Sequence, residues 1–321
     1  MVEKEEHRQR LRVVSLLPSA AECIAMVAGA DVIVGRSHED DFPPSIQSCP
    51  ILTSAKTKFT TSADVDRQVS EALSQGQSLY DLNVELLSSL KPDVVITQDL
   101  CHVCSIDLIT VQRIAKQLDP EPKVVTLNPL CFEDVLKDIE VVGDALQMPL
   151  QAQRAVDHLS RRMQYAESIA KENMAKKNGK RITCLFLEWV DPCFVGGHWT
   201  PQLIHKAGGL HSLNAPPSEY KGASRSVALS NEIVANSQPE VIIVCPCGLD
   251  IEETEREMKS VVTLPWWKEM AEQAKKIVYV DGNQMFNRPG PRLVDAFEWL
   301  VGYLHDRPDI IPEGFPYKII K

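Results

Sequence analysis

The sequence predicts an α/β protein with two Rossmann-like lobes, each built on a parallel sheet, joined by a single long backbone helix. Three observations carry this prediction. Short apolar strands alternate with helices toward both ends of the chain, one long helical stretch lies between them, and one helix–turn–strand pattern occurs twice. The 321 residues suit two domains of common size.

The N-terminal lobe is predicted over residues 11–131, after a polar, flexible leader at residues 1–10. Its first helix is expected to begin after Pro18, with Ser19 as the N-cap and Glu22 completing a capping box. Runs of β-branched residues are typical of strands buried on both faces of a sheet. Such a strand is predicted at residues 93–97, and further strands are predicted at residues 12–17, 32–35 and 123–127.

A helical stretch follows at residues 132–178, where apolar residues recur at helical spacing. Pro149 divides it, and the second part, from about residue 150 to 176, is the predicted backbone helix. Strand patterns return in the predicted C-terminal lobe, residues 179–305, which is followed by a C-terminal tail at 306–321.

The repeated pattern supports two related lobes. Residues 85–96 align without gaps on residues 232–243, and each copy reads as a helix, a proline-acidic turn and an apolar strand. Because the copies fall in the two predicted lobes, they indicate two versions of one architecture.

Composition excludes some classes of protein. A net charge of −10 argues against a nucleic-acid partner, and no apolar run is long enough to span a membrane. The charged N-terminus lacks an apolar signal region, which predicts a cytoplasmic protein, or a periplasmic or extracytoplasmic one if the sequence was cropped. Nine cysteines are too few for a disulfide scaffold and fit a reducing compartment.

Ligands of open parallel sheets bind outside the carboxyl ends of the strands. Here those ends are followed by cysteine pairs, namely Cys101 with Cys104 and Cys245 with Cys247. Four thiolates in tetrahedral geometry bind zinc, whereas free thiols that pack the strand ends are the alternative.

His38 and His198 also follow strands. Each is a candidate axial or direct metal ligand, or a hydrogen-bonding partner of a ligand.

The loop at residues 281–292 is the most distinctive segment, because its prolines and glycines make it rigid. Its Arg288 suits an anionic or amide-rich ligand, and Phe286 with Trp199 offers apolar faces to a large ring. The alternative is a structural loop that caps the last helix. The other predicted ligand-binding residues are Ser19, Arg36, Ser37, Gln98, Asp99, Trp189 and Asn287.

Catalytic motifs are sparse. The sequence has no G-x-S-x-G elbow, no P-loop and no G-x-G-x-x-G after a strand. Glu188 and Asp191 form an isolated pair that suits acid–base chemistry or surface ion pairs. The sequence therefore favours a binding protein over an enzyme.

Several motifs together carry a family resemblance. They lie at residues 12–22, 35–43, 90–93, 98–104, 197–201 and 287–292. Through them the chain resembles the substrate-binding proteins of ABC importers whose lobes are joined by one backbone helix, and in particular their vitamin B12-binding branch.

The resemblance implies that a small ligand, cobalamin or another metal chelate, is held in the cleft between the lobes. It also implies ABC transporter membrane subunits as partners, with Glu85 and Glu232 at the positions that dock onto them. The sequence departs from the family pattern by lacking an export signal and a lipoprotein cysteine near its start. An intracellular metal-dependent enzyme, or a zinc- or haem-binding protein on the same scaffold, therefore stays as an alternative.

Overall fold

The computed structural model describes residues 11–98 and 108–321. The chain forms two compact units, each assembled from separate stretches of sequence. The first comprises residues up to Lys56, Gly76–Asn128 and Asp138–Ala155, and the second comprises Thr57–Gln75, Pro129–Lys137 and Val156–Lys321.

The described residues alternate strands and helices, which confirms the α/β class. The strands are β1 (Val13–Ser15), β2 (Ile33–Gly35), β3 (Thr53–Ala55), β4 (Tyr80–Leu82), β5 (Val94–Gln98), β6 (Lys123–Leu127), β7 (Ile182–Val190), β8 (Cys193–Val195), β9 (Gly209–Leu210), β10 (Val227–Leu229), β11 (Val241–Val244), β12 (Lys276–Val280) and β13 (Tyr317–Ile319). The helices are α1 (Pro18–Ala28), α2 (Ser62–Ser74), α3 (Val84–Leu90), α4 (Leu108–Ala115), α5 (Phe132–Ala145), α6 (Pro149–Lys176), α7 (Trp199–Lys206), α8 (Asn231–Asn236), α9 (Ile251–Val261), α10 (Pro265–Gln273) and α11 (Leu293–His305).

The sheet of the first unit is parallel, with strand order β2-β1-β5-β6. Its central strands β1 and β5 are buried along their whole length, as their β-branched composition predicts. The hairpin of β3 and β4 forms a separate antiparallel pair.

The predicted capping box at the start of α1 is wrong. Pro18 occupies the first turn, Leu17 is the N-cap, and no side chain caps the helix. Proline suits this place because its missing N–H would have no partner inside the helix and its φ is already helical. Ser19 therefore lies within the helix and is buried.

The sheet of the second unit has seven strands among the described residues, and β7, β11 and β12 form its parallel centre. Its edges are antiparallel, because β8 turns back on β7 and β13 pairs with β12. The stretch predicted as a C-terminal tail thus contributes β13, an edge strand of the sheet. The predicted parallel strands thus form the centre of this sheet, and antiparallel strands are added at its edges.

The predicted backbone helix is α6, 28 residues long, and the boundary between the two units falls within it. In the second unit Arg162 of α6 pairs with Asp295 and Glu298 of α11, each at 2.5 Å. These half-buried ion pairs tie α6 to the last long helix of that unit.

The repeated pattern corresponds to α3 with β5 in the first unit and α8 with β11 in the second. The aligned residues Lys91 and Gln238 adopt the same left-handed conformation, with φ of 43° and 44°. Each strand lies inside its sheet, between β1 and β6 or between β7 and β12. The two copies therefore share local backbone geometry as well as sequence.

No helix within the described ranges is both long enough and apolar enough to span a membrane.

Candidate functional site

Arg36 organises the loop that follows β2. Its guanidinium donates to the carbonyls of Ser37 (3.1 Å), Asp40 (2.9 Å) and Gln47 (3.0 Å), and the side chain is buried. These bonds satisfy backbone oxygens that a turn leaves without partners. These bonds give Arg36 a structural role in the loop, and its pairing with a ligand stays a prediction.

His38 stands on the loop that Arg36 holds. Its Nδ1 lies 2.7 Å from the Thr53 hydroxyl, which also accepts the His38 backbone N–H at 3.0 Å. The ring packs near Tyr80, with centroids 5.6 Å apart, and its Nε2 lies 3.9 Å from the Glu39 carboxylate, beyond hydrogen-bonding distance. The Nδ1 edge of the imidazole is therefore held by Thr53, and the His38 side chain is partly exposed.

Two hydroxyls near the carboxyl edge of the same sheet have no hydrogen-bond partner among residues 11–98 and 108–321. They belong to Ser37, after β2, and Thr97, in β5, and both are buried. A buried hydroxyl without a partner destabilises a fold, so such groups call for a physical explanation. Ser19 and Gln98 are buried near the ends of the neighbouring strands. Sequence patterns single out Ser37 but miss Thr97, which reads as an ordinary strand residue.

Phe286 and Trp199 of the second unit are core residues. Phe286 is 1% exposed and packs edge-on against Phe186 and Trp299 at 5.1 and 6.0 Å between centroids. The buried indole of Trp199 donates to the Phe286 carbonyl at 2.6 Å. Both rings are packed in the core, and their role as apolar faces for a ligand stays a prediction.

Asn287 and Arg288 hold the same loop to its surroundings. The Asn287 amide donates to the carbonyls of Gly282 (2.8 Å) and Cys245 (3.2 Å). Arg288 is buried and donates to the Asn283 side chain at 3.0 Å. These contacts support the alternative interpretation of residues 281–292 as a structural loop, and the contact of Asn287 and Arg288 with a ligand stays a prediction.

The cysteines after β11 differ in environment. Cys245 is fully buried, its thiol donates to the Met285 carbonyl at 3.6 Å, and burial raises its pKa well above the ordinary value. Cys247, two residues on, is exposed. The other predicted pair, Cys101 and Cys104, lies outside the described residues, as does Asp99.

Residues 11–98 and 108–321 contain no group of three His, Cys, Asp or Glu side chains placed to hold a metal ion. The zinc site predicted from both cysteine pairs stays a prediction, because half of its ligands fall outside those ranges.

Glu188 lies near the carboxyl end of β7. Its carboxylate accepts hydrogen bonds from the Ser226 hydroxyl (2.7 Å) and the Gly197 N–H (3.3 Å). These bonds bring the turn before α7, which carries His198, beside the end of the strand. Asp191 is exposed. The acid–base pairing of Glu188 with Asp191 stays a prediction.

Glu85 and Glu232 occupy matching places in the first turns of α3 and α8. Both are exposed, and each follows an N-cap side chain, Asn83 or Ser230, that accepts a backbone N–H of the helix. An acidic residue at such a place is also favoured by the helix dipole alone.

Trp189 is engaged by a segment from the N-terminal half of the chain. Its indole donates to the Ser62 carbonyl at 3.1 Å, and the Glu257 carboxylate accepts the Ser62 N–H at 2.7 Å. Ser62 opens α2, is completely buried, and belongs with Trp189 and Glu257 to the second unit. We name this arrangement of Ser62, Trp189 and Glu257 the α2 clasp. No sequence pattern indicates it.

We expect Trp189→Phe to loosen residues 57–75 because it removes the indole donor of the α2 clasp. One lost hydrogen bond of ordinary strength should speed local opening about tenfold. Hydrogen exchange read over residues 57–75 measures the change, while β11 should keep its protection.

Trp266→Phe is the matched control, because the Trp266 indole N–H is buried and has no hydrogen-bond partner among the described residues. Equal exchange at residues 57–75 in both variants would show that the indole bond does not hold the segment.

Comparisons with known proteins bear on the whole chain. A family model described as "Periplasmic binding protein" matches residues 13–284. An uncharacterised ABC transporter substrate-binding lipoprotein, YvrC, of Bacillus subtilis (strain 168) is 24% identical over 305 residues, covering 94% of this chain and 82% of its own length. The vitamin B12-binding protein of Vibrio cholerae serotype O1 is 22% identical, covering 91% of this chain and 88% of its own.

Solved structures agree on the fold. The periplasmic heme-binding protein RhuT from Roseiflexus sp. RS-1 matches with a TM-score of 0.65 at 20% identity, over 92% of this chain and 98% of that one. The vitamin B12-binding protein BtuF of Vibrio cholerae matches with a TM-score of 0.62 at 19% identity, over 92% and 97%. With the family model matching most of its length, the chain belongs to the periplasmic binding protein family.

Proposed function

We propose that this protein binds a metal chelate of the corrinoid or tetrapyrrole class. The observation that carries the proposal is that the buried hydroxyls of Ser37 and Thr97, near the carboxyl ends of β2 and β5, have no hydrogen-bond partner among the described residues, and that the loop after β2 also carries His38. Hydroxyls without partners suit the amide or carboxylate groups on the rim of such a chelate. Relatives named for vitamin B12 and heme support the ligand class.

Titration with hydroxocobalamin and with hemin, followed by absorbance, tests the proposal. We expect saturable binding of at least one of them. Thr97→Val keeps the shape of the side chain and removes the hydroxyl, so it should weaken binding about threefold to tenfold, the worth of one hydrogen bond.

Thr97→Val should also stabilise the ligand-free protein against unfolding. Removing a buried hydroxyl that has no partner should raise the free energy of unfolding by about 1 kcal/mol. Ser260→Ala removes an exposed hydroxyl on α9 and serves as the control, with neither change expected. Absence of binding to both chelates, or equal affinity in Thr97→Val, would overturn the proposal.

A transporter partner is the second part of the proposal. The relatives include an ABC transporter substrate-binding lipoprotein, and the exposed Glu85 and Glu232 stand at equivalent places in the two copies of the repeat. We propose that these glutamates dock onto cationic side chains of membrane subunits. The lipoprotein and periplasmic relatives favour the extracytoplasmic alternative over the cytoplasmic one.

The enzyme alternative has less support. The family is one of binding proteins. Within the described residues the candidate acid Glu188 is already bonded to Ser226 and Gly197, which suits a structural role.

A further inference from the structure

His198 has a backbone conformation that strongly favours glycine. Its φ is +52° and its ψ is −117°, in the region that side chains with a Cβ rarely adopt. Two glycines, Gly196 and Gly197, stand directly before it, yet the strained position itself carries a histidine. Such strain persists where a side chain is needed at one place.

The surrounding chain imposes this conformation. The His198 N–H donates to the Ser224 carbonyl at 3.0 Å, and the His198 carbonyl accepts the Ala223 N–H at 2.7 Å. Beside it, Gly197 approaches the backbone of Ser226 so closely that an added Cβ would lie 2.3 Å from its nitrogen. The main chain at His198 is therefore held rigidly from both sides.

The imidazole of His198 packs on a neighbouring ring but forms no hydrogen bond with the described residues. It stacks on Trp199, with centroids 5.5 Å apart and planes at 25°, and that indole is itself fixed by its 2.6 Å bond to the Phe286 carbonyl. Among the described residues neither ring nitrogen of His198 has a hydrogen-bond partner.

His38 differs in this respect. Its Nδ1 lies 2.7 Å from the Thr53 hydroxyl, so one ring nitrogen of His38 already has a partner.

We propose that His198 supplies an axial imidazole nitrogen to the metal of the chelate. This inference rests on the proposed function and deepens it. A corrinoid or tetrapyrrole brings its own in-plane nitrogens, so one protein ligand suffices, in keeping with the lack of a three-residue cluster among the described side chains. In the step, the imidazole nitrogen forms a bond to the metal and the metal-bound water leaves, with no change in oxidation state.

The visible spectrum of the bound chelate tests this assignment. Purified protein is titrated with hydroxocobalamin and with hemin, and each spectrum is compared with that of the chelate in imidazole solution. We expect the imidazole-ligated spectrum with the wild type, and a water-ligated spectrum with about tenfold weaker binding for His198→Ala. His158→Ala, which removes an exposed histidine of α6, should behave as wild type.

A second comparison separates ligation from folding. His198→Gly and His198→Ala both lack the ring, but only glycine relieves the backbone strain. We expect the Gly variant to unfold about 2–4 °C above the Ala variant, with the same water-ligated spectrum.

The outcomes distinguish the two proposals. If the wild type binds neither chelate, the proposed function fails and this inference fails with it. If the wild type binds but His198→Ala keeps the imidazole spectrum, or if only His38→Ala loses it, the binding function stands and the assignment to His198 is overturned.

Discussion

Gly282→Ala should lower the free energy of unfolding by about 3 kcal/mol, because the new methyl group meets backbone and not movable side chains. A Cβ at this position would lie 1.9 Å from the Pro246 carbonyl oxygen and 2.9 Å from the carbonyl carbon of Cys245. The loop that follows β12 and the segment that follows β11 would have to separate to make room.

That separation would also break hydrogen bonds between the two segments. The Gly282 carbonyl accepts from Asn287 at 2.8 Å and from the Gly248 N–H at 3.2 Å, and the Gly282 N–H donates to the Leu249 carbonyl at 2.9 Å. Urea unfolding measures the loss, and the chelate titration should weaken in parallel if this loop positions the proposed site.

Gly179→Ala is the matched control for Gly282→Ala. Gly179 has a φ of +75° with open space around it, so an added methyl group introduces backbone strain without a clash. Its expected cost is roughly 1–2 kcal/mol. If Gly282→Ala were no more destabilising than Gly179→Ala, the close approach of the two segments would be contradicted.

Acid should destabilise the protein through His211. This residue is 1% exposed, and burial lowers its pKa to about 4 from an ordinary value of 6.5. The folded state therefore resists a proton that the unfolded chain accepts. The resulting stability is complete above pH 6.5 and is lost as the pH falls from 6.5 toward 4.

The expected loss between pH 7 and pH 5 is about 2 kcal/mol from this residue alone. Burial also lowers the pKa of His198, His205 and His305, which adds to the effect in the same direction. Unfolding free energies at the two pH values measure the total loss.

His211→Gln isolates the contribution of this residue. Glutamine does not titrate and keeps polar atoms for the Phe186 backbone, whose N–H donates to the ring nitrogen at 3.3 Å. The loss between pH 7 and pH 5 should be about 2 kcal/mol smaller in the variant. An equal pH dependence of the two proteins would contradict a neutral, buried His211.

The spacing of apolar residues predicts a helix well when it is regular over many turns. The backbone helix was expected from about residue 150 to 176 and is observed at Pro149–Lys176, because apolar spacing over many turns leaves little ambiguity. The repeat was also a reliable guide, since Lys91 and Gln238 share one backbone conformation. The predicted capping box is absent because Pro18 occupies the first helical turn, which places Ser19 inside the helix and not at its N-cap.

The candidate site was harder to predict. The sequence predicts that Ser37 and His38, which follow a strand, lie at the edge of a sheet, and in the structure they follow β2. The sequence does not tell a ligand platform from a core, and the structure packs Phe286 and Trp199 in the core. A guanidinium binds loop carbonyls as readily as a ligand, and Arg36 binds the carbonyls of its own loop.

The sequence by itself determined the α/β class, the long helix, the repeat and the family, because these depend on periodicity and on motifs within short stretches. Only the tertiary structure decided which rings are enclosed, that α2 is clasped by Trp189 and Glu257, and that the imidazole of His198 is left without a described partner. Those features depend on residues far apart in the chain that meet in the fold, such as Ser62 and Glu257, and no local pattern encodes such a meeting.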